Sequence, residues 1–127
     1  MKNRVLHFIR KKSQLKASFI KNQISHHINY EPVIVFRSDK NKEHGGGFAN
    51  IDADQFKCLN LAVNESLFEK LIFKVCRRIS SWQAERIEAF VKTYDVKILH
   101  FHYGSDAGIY IPFLKKTQLP SVVSFYG

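Results

Sequence analysis

The sequence contains no apolar run approaching the roughly 20 residues that cross a bilayer, and the opening Met1 to Arg10 holds too short an apolar stretch for a signal peptide. These absences lead to the expectation of a cytoplasmic chain. Cysteine is scarce: Cys58 and Cys76 fall in different expected elements, without the paired spacing of a zinc or redox motif, and are expected as reduced, packed thiols. No G-x-G-x-x-G loop follows the first apolar segment and no G-x-x-x-x-G-K-S/T occurs anywhere, so independent dinucleotide or ATP binding is unsupported. Beyond the triplet Gly45-Gly46-Gly47 there is no low-complexity tract, and no internal repeat is evident.

Acidic residues are few, 11 against 20 Lys and Arg, which gives a formal charge of +9. Such a chain is drawn to polyanions. Lys2, Arg4, Arg10, Lys11, Lys12, Lys16 and Lys21 all precede the first acid, Glu31, and concentrate the charge near the amino terminus. The patch suits an anionic lipid surface or a diphosphate, or is a solvated face. No zinc-finger spacing, aromatic RNA-binding strand signature or basic heptad helix accompanies it, so nucleic acid is not expected as a partner.

What is present is enough hydrophobic side chain, 45% of 127 residues, for one packed core. Residues 3 to 9 predict a strand covered on both faces, and Ser13 caps an expected helix over 14 to 28. Pro32 precedes a second strand, Val33 to Phe36, and the polar stretch 37 to 54 with its glycine triplet is expected as a mobile loop. A third strand is expected over Phe56 to Ala62. From Ser66 to Val91, apolar residues recur in steps of three or four, predicting one long helix or two in series whose stripe, Trp82 included, is core. Val96 to Phe101 reads as a fourth strand, Ser105 or Asp106 as the cap of a helix through Lys116, and Pro120 to Phe125 as a fifth strand. This alternation predicts an α/β, Rossmann-like parallel sheet with helices on both faces. Ending at Gly127 directly after a strand, the chain is expected to be a truncated domain, marginally stable by itself.

Ligands of open parallel sheets bind outside the carboxyl ends of the strands. The ends in question are Arg10-Lys11-Lys12-Ser13, His102-Tyr103-Gly104-Ser105-Asp106 and Tyr126-Gly127. His100 and His102 share a strand face at the i, i+2 spacing of a metal pair, but no third ligand is evident, and no metal is assigned. His26-His27 is expected at a helix end, near its last carbonyls. Asp106 reads as a helix cap in preference to a catalytic acid, and Gly104 and Gly108 serve a turn and close helix packing or a ligand-facing loop.

The segment Leu99-His100-Phe101-His102-Tyr103-Gly104-Ser105-Asp106-Ala107-Gly108, followed by Leu119-Pro120-Ser121-Val122-Val123-Ser124-Phe125-Tyr126-Gly127, resembles the amino-terminal domain of retaining GT-B glycosyltransferases of family 4. Its HYGSDAG portion is similar to the HYADAG loop of sucrose-phosphate synthases, and Ala17 to Ile24 resembles the start of the family's first helix. The resemblance implies that residues 1 to 127 are a partial acceptor-side domain, with the donor domain and its E-x7-E motif absent. It implies hexose transfer from a nucleotide sugar to a lipid-linked or polysaccharide acceptor, with no cofactor or metal and no activity in the chain alone. The acceptor would lie against His102, Tyr103, Gly104, Ser105, Asp106, Tyr126 and Gly127, with Arg10, Lys11, Lys12 and Ser13 toward a phosphate or membrane surface. Tyr126 stands where many members carry histidine, and a phenol with a pKa near 10 does not replace imidazole in proton transfer near neutrality. No catalytic residue is assigned. The alternative from another class is a non-catalytic Rossmann-like module whose basic face docks an anion.

Overall fold

The structure is a computed structural model and describes residues 3–9, 29–37, 57–102 and 104–124. Five strands form one parallel sheet: β1 (Asn3–Phe8), β2 (Tyr30–Phe36), β3 (Lys57–Asn60), β4 (Val96–Phe101) and β5 (Ser121–Val123), in the order β3-β2-β1-β4-β5. The described helices are α1 (Leu67–Cys76), α2 (Ser81–Thr93), α3 (Gly104–Ile109) and α4 (Ile111–Leu114). The chain therefore has the α/β, Rossmann-like architecture expected from the alternation of its patterns. The helix expected over 14 to 28 lies outside the described residues, as does all of the loop expected over 37 to 54 except Arg37. No described helix is long and apolar enough to cross a membrane.

Strand pleating sorts side chains by parity. Leu6 and Phe8 of β1 stand in register with Val33 and Val35 of β2 and with Leu99 and Phe101 of β4. All six are buried in one cluster with Ala84, Ile87 and Phe90 of α2, Ile109 of α3 and Phe113 of α4. Phe8 stacks on Phe101 with ring centroids 4.3 Å apart and meets Tyr110 edge-on. The alternate positions Val5, His7 and Ile34 lie on the other face, and they too are buried.

β2 begins before the predicted Val33 because it pairs with β1 from Tyr30 onward, with Asn3 opposite Tyr30 and Val5 opposite Pro32. β3 stops at Asn60, two residues short of the expected end, where Asn60 Oδ1 accepts from the Ala62 amide at 3.0 Å and turns the chain. Just past β2, Arg37 forms a two-pronged pair with Glu65, Nε to Oε2 at 2.8 Å and Nη2 to Oε1 at 2.6 Å. Its guanidinium lies 4.1 Å from the centre of the Phe73 ring, so the end of β2 is tied to α1.

The apolar stripe of 66 to 91 resolves into two helices. Arg77 closes α1 in the left-handed region, with φ 56°, and Ser80 opens α2. Both helices start with a capping box: Ser66 with Glu69, and Ser80 with Gln83. The boxes are linked, because Ser80 Oγ also donates to Glu69 Oε2 at 3.0 Å. Burial pushes the Glu69 carboxyl up, but bonds from the Ser66 amide and the Ser80 and Ser66 hydroxyls, with the charge of Arg86, outweigh it and hold the group below its ordinary 4.5.

The break between the helices also resets the helical phase. Gln83, Ala84, Ile87 and Phe90 turn inward, while Trp82 is 54% exposed rather than core. Leu67, Phe68, Leu71 and Val75 of α1, expected in the same buried stripe, are exposed as well, and Phe68 pairs with Trp82 at 5.9 Å. Cys76 is exposed instead of packed, and Cys58 is half-buried; both are free thiols. The helix expected through Lys116 is divided at Tyr110, since Pro112 in the first turn of α4 lacks the N–H that would continue α3.

Candidate functional site

The sheet order reverses between β1 and β4, because β2 and β3 extend from one side of β1 and β5 from the far side of β4. Such a switch point opens a crevice at the carboxyl ends of the two strands, where parallel α/β sheets bind ligands. His102, directly after β4, and the first turn of α3 lie at this end of the sheet. Ser124, just after β5, reaches the same rim and donates its amide to Phe101 O at 2.9 Å.

Three histidines meet beside this crevice. In the β1/β4 register His7 stands opposite His100, and His102 follows two residues on, so parity directs all three to the face opposite the aromatic core. His7 Nδ1 and His102 Nε2 are 2.8 Å apart, and both residues are fully buried. His100 is half-buried and its Nε2 lies 2.7 Å from Ser124 Oγ. Ring centroids are 5.2 Å apart for His7 and His100, 5.1 Å for His7 and His102, and 4.3 Å for His100 and His102. One ligating atom from each ring lies within 4.8 Å of the others. The third imidazole that the sequence did not offer beside His100 and His102 is His7, 93 residues from His100 along the chain. A signal for it exists: Leu-His-Phe occurs at 6 to 8 and again at 99 to 101, and the two copies pair residue for residue.

On the helix side of the rim lies a cleft of about 460 Å³ lined by Phe73, Cys76, Arg77, Arg78, Ser105, Gly108, Ile109 and Ile111. Its wall is closed by the Ile79 amide, which donates to Ile109 O at 3.1 Å. The lining thus combines two arginines and a serine with Phe73, Ile109 and Ile111. Tyr110 donates its hydroxyl to Ile9 O at 2.8 Å and fastens the α3 to α4 junction to the end of β1.

Of the residues expected to meet a ligand, His102 sits buried at the end of β4, Gly104 opens α3 in an exposed position, and Ser105 lines the cleft. Asp106 is fully buried inside the first turn of α3. Since α3 begins at Gly104, Ser105 and Asp106 lie inside its first turn and neither is its cap, which corrects that expectation. Gly108 is not explained by close packing, because a Cβ placed there would meet nothing within 4 Å. Tyr103, Tyr126 and Gly127, the segment Arg10, Lys11, Lys12 and Ser13, and the pair His26-His27 lie outside the described residues. Arg77 and Arg78 were not among the expected site residues; they fall at the junction of the two helices, inside the stretch 66 to 91 that was expected as one long helix or two in series.

No protein-family model, curated protein or solved structure matches the chain.

Proposed function

We propose that this chain is the acceptor-binding part of a retaining GT-B glycosyltransferase, which takes a hexose from a nucleotide sugar held by a second domain and delivers it to a lipid-linked or polysaccharide acceptor. The observation that carries the reading is the cleft at the carboxyl rim, where Ser105 of the HYGSDAG segment faces the same space as Arg77 and Arg78. A lipid-linked diphosphate needs a surface of this composite kind. Guanidinium groups match phosphate oxygens in a bidentate fork, while Phe73, Ile109 and Ile111 offer contact to the adjoining chain or sugar face. The nearby switch point suits a ligand shared between two domains. The groups that stabilise a departing nucleoside diphosphate belong to the donor side, so this part binds and orients without transferring.

Isothermal titration with farnesyl diphosphate, and separately with UDP-glucose, tests the reading. Farnesyl diphosphate is expected to bind, with affinity falling at least tenfold in the double variant Arg77→Gln/Arg78→Gln, which corresponds to about 1.4 kcal/mol. UDP-glucose is expected not to bind the rim, and the chain alone is expected to transfer no hexose. Undiminished farnesyl diphosphate binding in the arginine variant overturns the cleft as the acceptor site. If binding is lost instead in Lys11→Gln/Lys12→Gln, the anion-docking module is the better description.

A further inference from the structure

We infer that His7, His100 and His102 form a binding site for one Zn²⁺ ion at the β1/β4 switch point. Imidazole nitrogens bind zinc at about 2.0–2.1 Å, which in a tetrahedral site spaces the ligating nitrogens by about 3.3 Å and the ring centres by about 5 Å. The His7 to His100 and His7 to His102 centroid separations, 5.2 and 5.1 Å, already have this value. The His100 to His102 separation of 4.3 Å is shorter, and the ligand atoms lie within 4.8 Å of one another. Strand register fixes His7 opposite His100, and His102 follows directly after the end of β4, so the remaining adjustment falls to side-chain rotation and to the backbone at His102.

The donor set selects the ion. Three neutral imidazoles with no carboxylate in the cluster suit zinc and its borderline neighbours, and do not suit Mg²⁺ or Ca²⁺, which require oxygen. At 2.8 Å the His7 to His102 contact is an N–H···N hydrogen bond, so one of those rings carries its proton on the inward nitrogen. Zinc takes that proton's place: the donating ring moves its proton to its other nitrogen, the two nitrogens part by about half an ångström, and each lone pair turns to the ion. Ser124 supplies the outer contact that metal-ligating histidines commonly have: its Oγ lies 2.7 Å from His100 Nε2, which leaves Nδ1 of that ring for the ion and Nε2–H to donate to the hydroxyl. Three protein ligands leave one tetrahedral position for water or an oxyanion, and half-buried His100 gives access from solvent.

The ordinary role for buried histidines is mutual hydrogen bonding within a packed face. What exceeds that role is convergence: two strands contribute the same tripeptide in register, and the third imidazole follows on the same face. The glycosyltransferases that the sequence resembles need no metal, so the ion would be a property of this chain. The inference stands apart from the acceptor reading, since Arg77 and Arg78 lie in a separate cleft.

The test uses the chain stripped with EDTA and then titrated with ZnCl2 or CoCl2. One equivalent of Zn²⁺ is expected to bind and, at a hundredfold excess over Kd, to raise Tm by roughly 10 °C. Mg²⁺ at the same concentration is expected to leave Tm unchanged, and Co²⁺ to give the intense visible bands of a tetrahedral site. His7→Gln, His100→Gln and His102→Gln are each expected to abolish these signatures, and Ser124→Ala to weaken binding about tenfold. His26→Gln/His27→Gln is expected to leave them intact. Should the buried His7 and His102 variants fail to fold, the half-buried His100→Gln and Ser124→Ala decide. Full Zn²⁺ binding by His100→Gln, weak octahedral Co²⁺ bands, or loss of binding in His26→Gln/His27→Gln overturns the site. Farnesyl diphosphate titration of the zinc-free chain reads the acceptor cleft separately.

Discussion

The two faces of the sheet use the same strands for opposite ends. Toward α2, β1 and β4 present Leu6, Phe8, Leu99 and Phe101, a row of side chains without polar atoms, closed by residues of the helix layer. Toward the other face the intervening positions present His7 and His100, followed by His102. His7 and His102 are buried as completely as the aromatic row and His100 is half-buried, so chemistry distinguishes the two faces more than exposure does. An aromatic face gains stability in proportion to the area it removes from water, whereas buried imidazoles gain it only by pairing. The period of two lets one strand do both, since residues one apart never share surroundings.

The sharpest test of this division is a pair of truncations at register neighbours. Phe8→Ala removes a ring packed on Phe101, Tyr110 and Phe113, and is expected to cost about 3–5 kcal/mol in urea unfolding. His100→Gln, on the other face and half-buried, is expected to cost about 1 kcal/mol or less in the zinc-free chain. Equal losses would break the comparison, because the histidine face would then be as structural as the aromatic one.

A smaller effect is expected where the helix layer is anchored. Ser80 caps α2, accepting from the Gln83 amide at 3.1 Å, and donates to Glu69 at 3.0 Å. Ser80→Ala removes both contacts at a buried position, and about 2 kcal/mol is the expected loss. Glu69 adds a pH signature. Its carboxyl titrates lower in the folded chain than in the unfolded one, so its contribution is fully present above the ordinary 4.5 and is lost as pH falls through the lower folded value. Unfolding curves between pH 3 and 6 are expected to show this loss in the wild type and a shallower dependence in Glu69→Gln. An unchanged slope would mean that the capping network does not hold the carboxylate.

Strands β1 and β4 were legible almost to the residue because runs such as Val96 to Phe101 are apolar, β-branched and bounded by polar turns. Helix phase was less legible. Trp82 fits an inward stripe only if residues 66 to 91 form one helix, and the Ser-x-x-Glu and Ser-x-x-Gln boxes at 66 and 80, both visible in the sequence, mark two starts. His102 and the start of α3 were placed at the rim by the alternation of strands and helices alone. His7 was not, since bringing it to His100 depends on which strand pairs with β1, and topology lies beyond local pattern. Arg77 escaped for a related reason: a non-glycine residue at φ 56° ends α1 without the glycine that usually announces it.

The smallest expected effect tests the boundary between packing and site on the helix side. Gly108 lies within α3, its φ outside the left-handed region, and a Cβ there meets nothing within 4 Å. Glycine in a helix loses more backbone freedom on folding than alanine does, so Gly108→Ala is expected to stabilise the chain by about 0.5–1 kcal/mol. A raised urea midpoint with an unchanged slope is the measurement. The new methyl enters the wall of the cleft that holds Arg77 and Arg78, and this gives the substitution a second readout. If an acceptor's apolar part lies along that wall, the stabilised variant binds farnesyl diphosphate more weakly than wild type; if only the arginines hold the phosphate, affinity is unchanged. A destabilised Gly108→Ala would instead show that the helix layer needs glycine here for its own packing, and the contrast between a filled aromatic core and an open rim would no longer hold at this position.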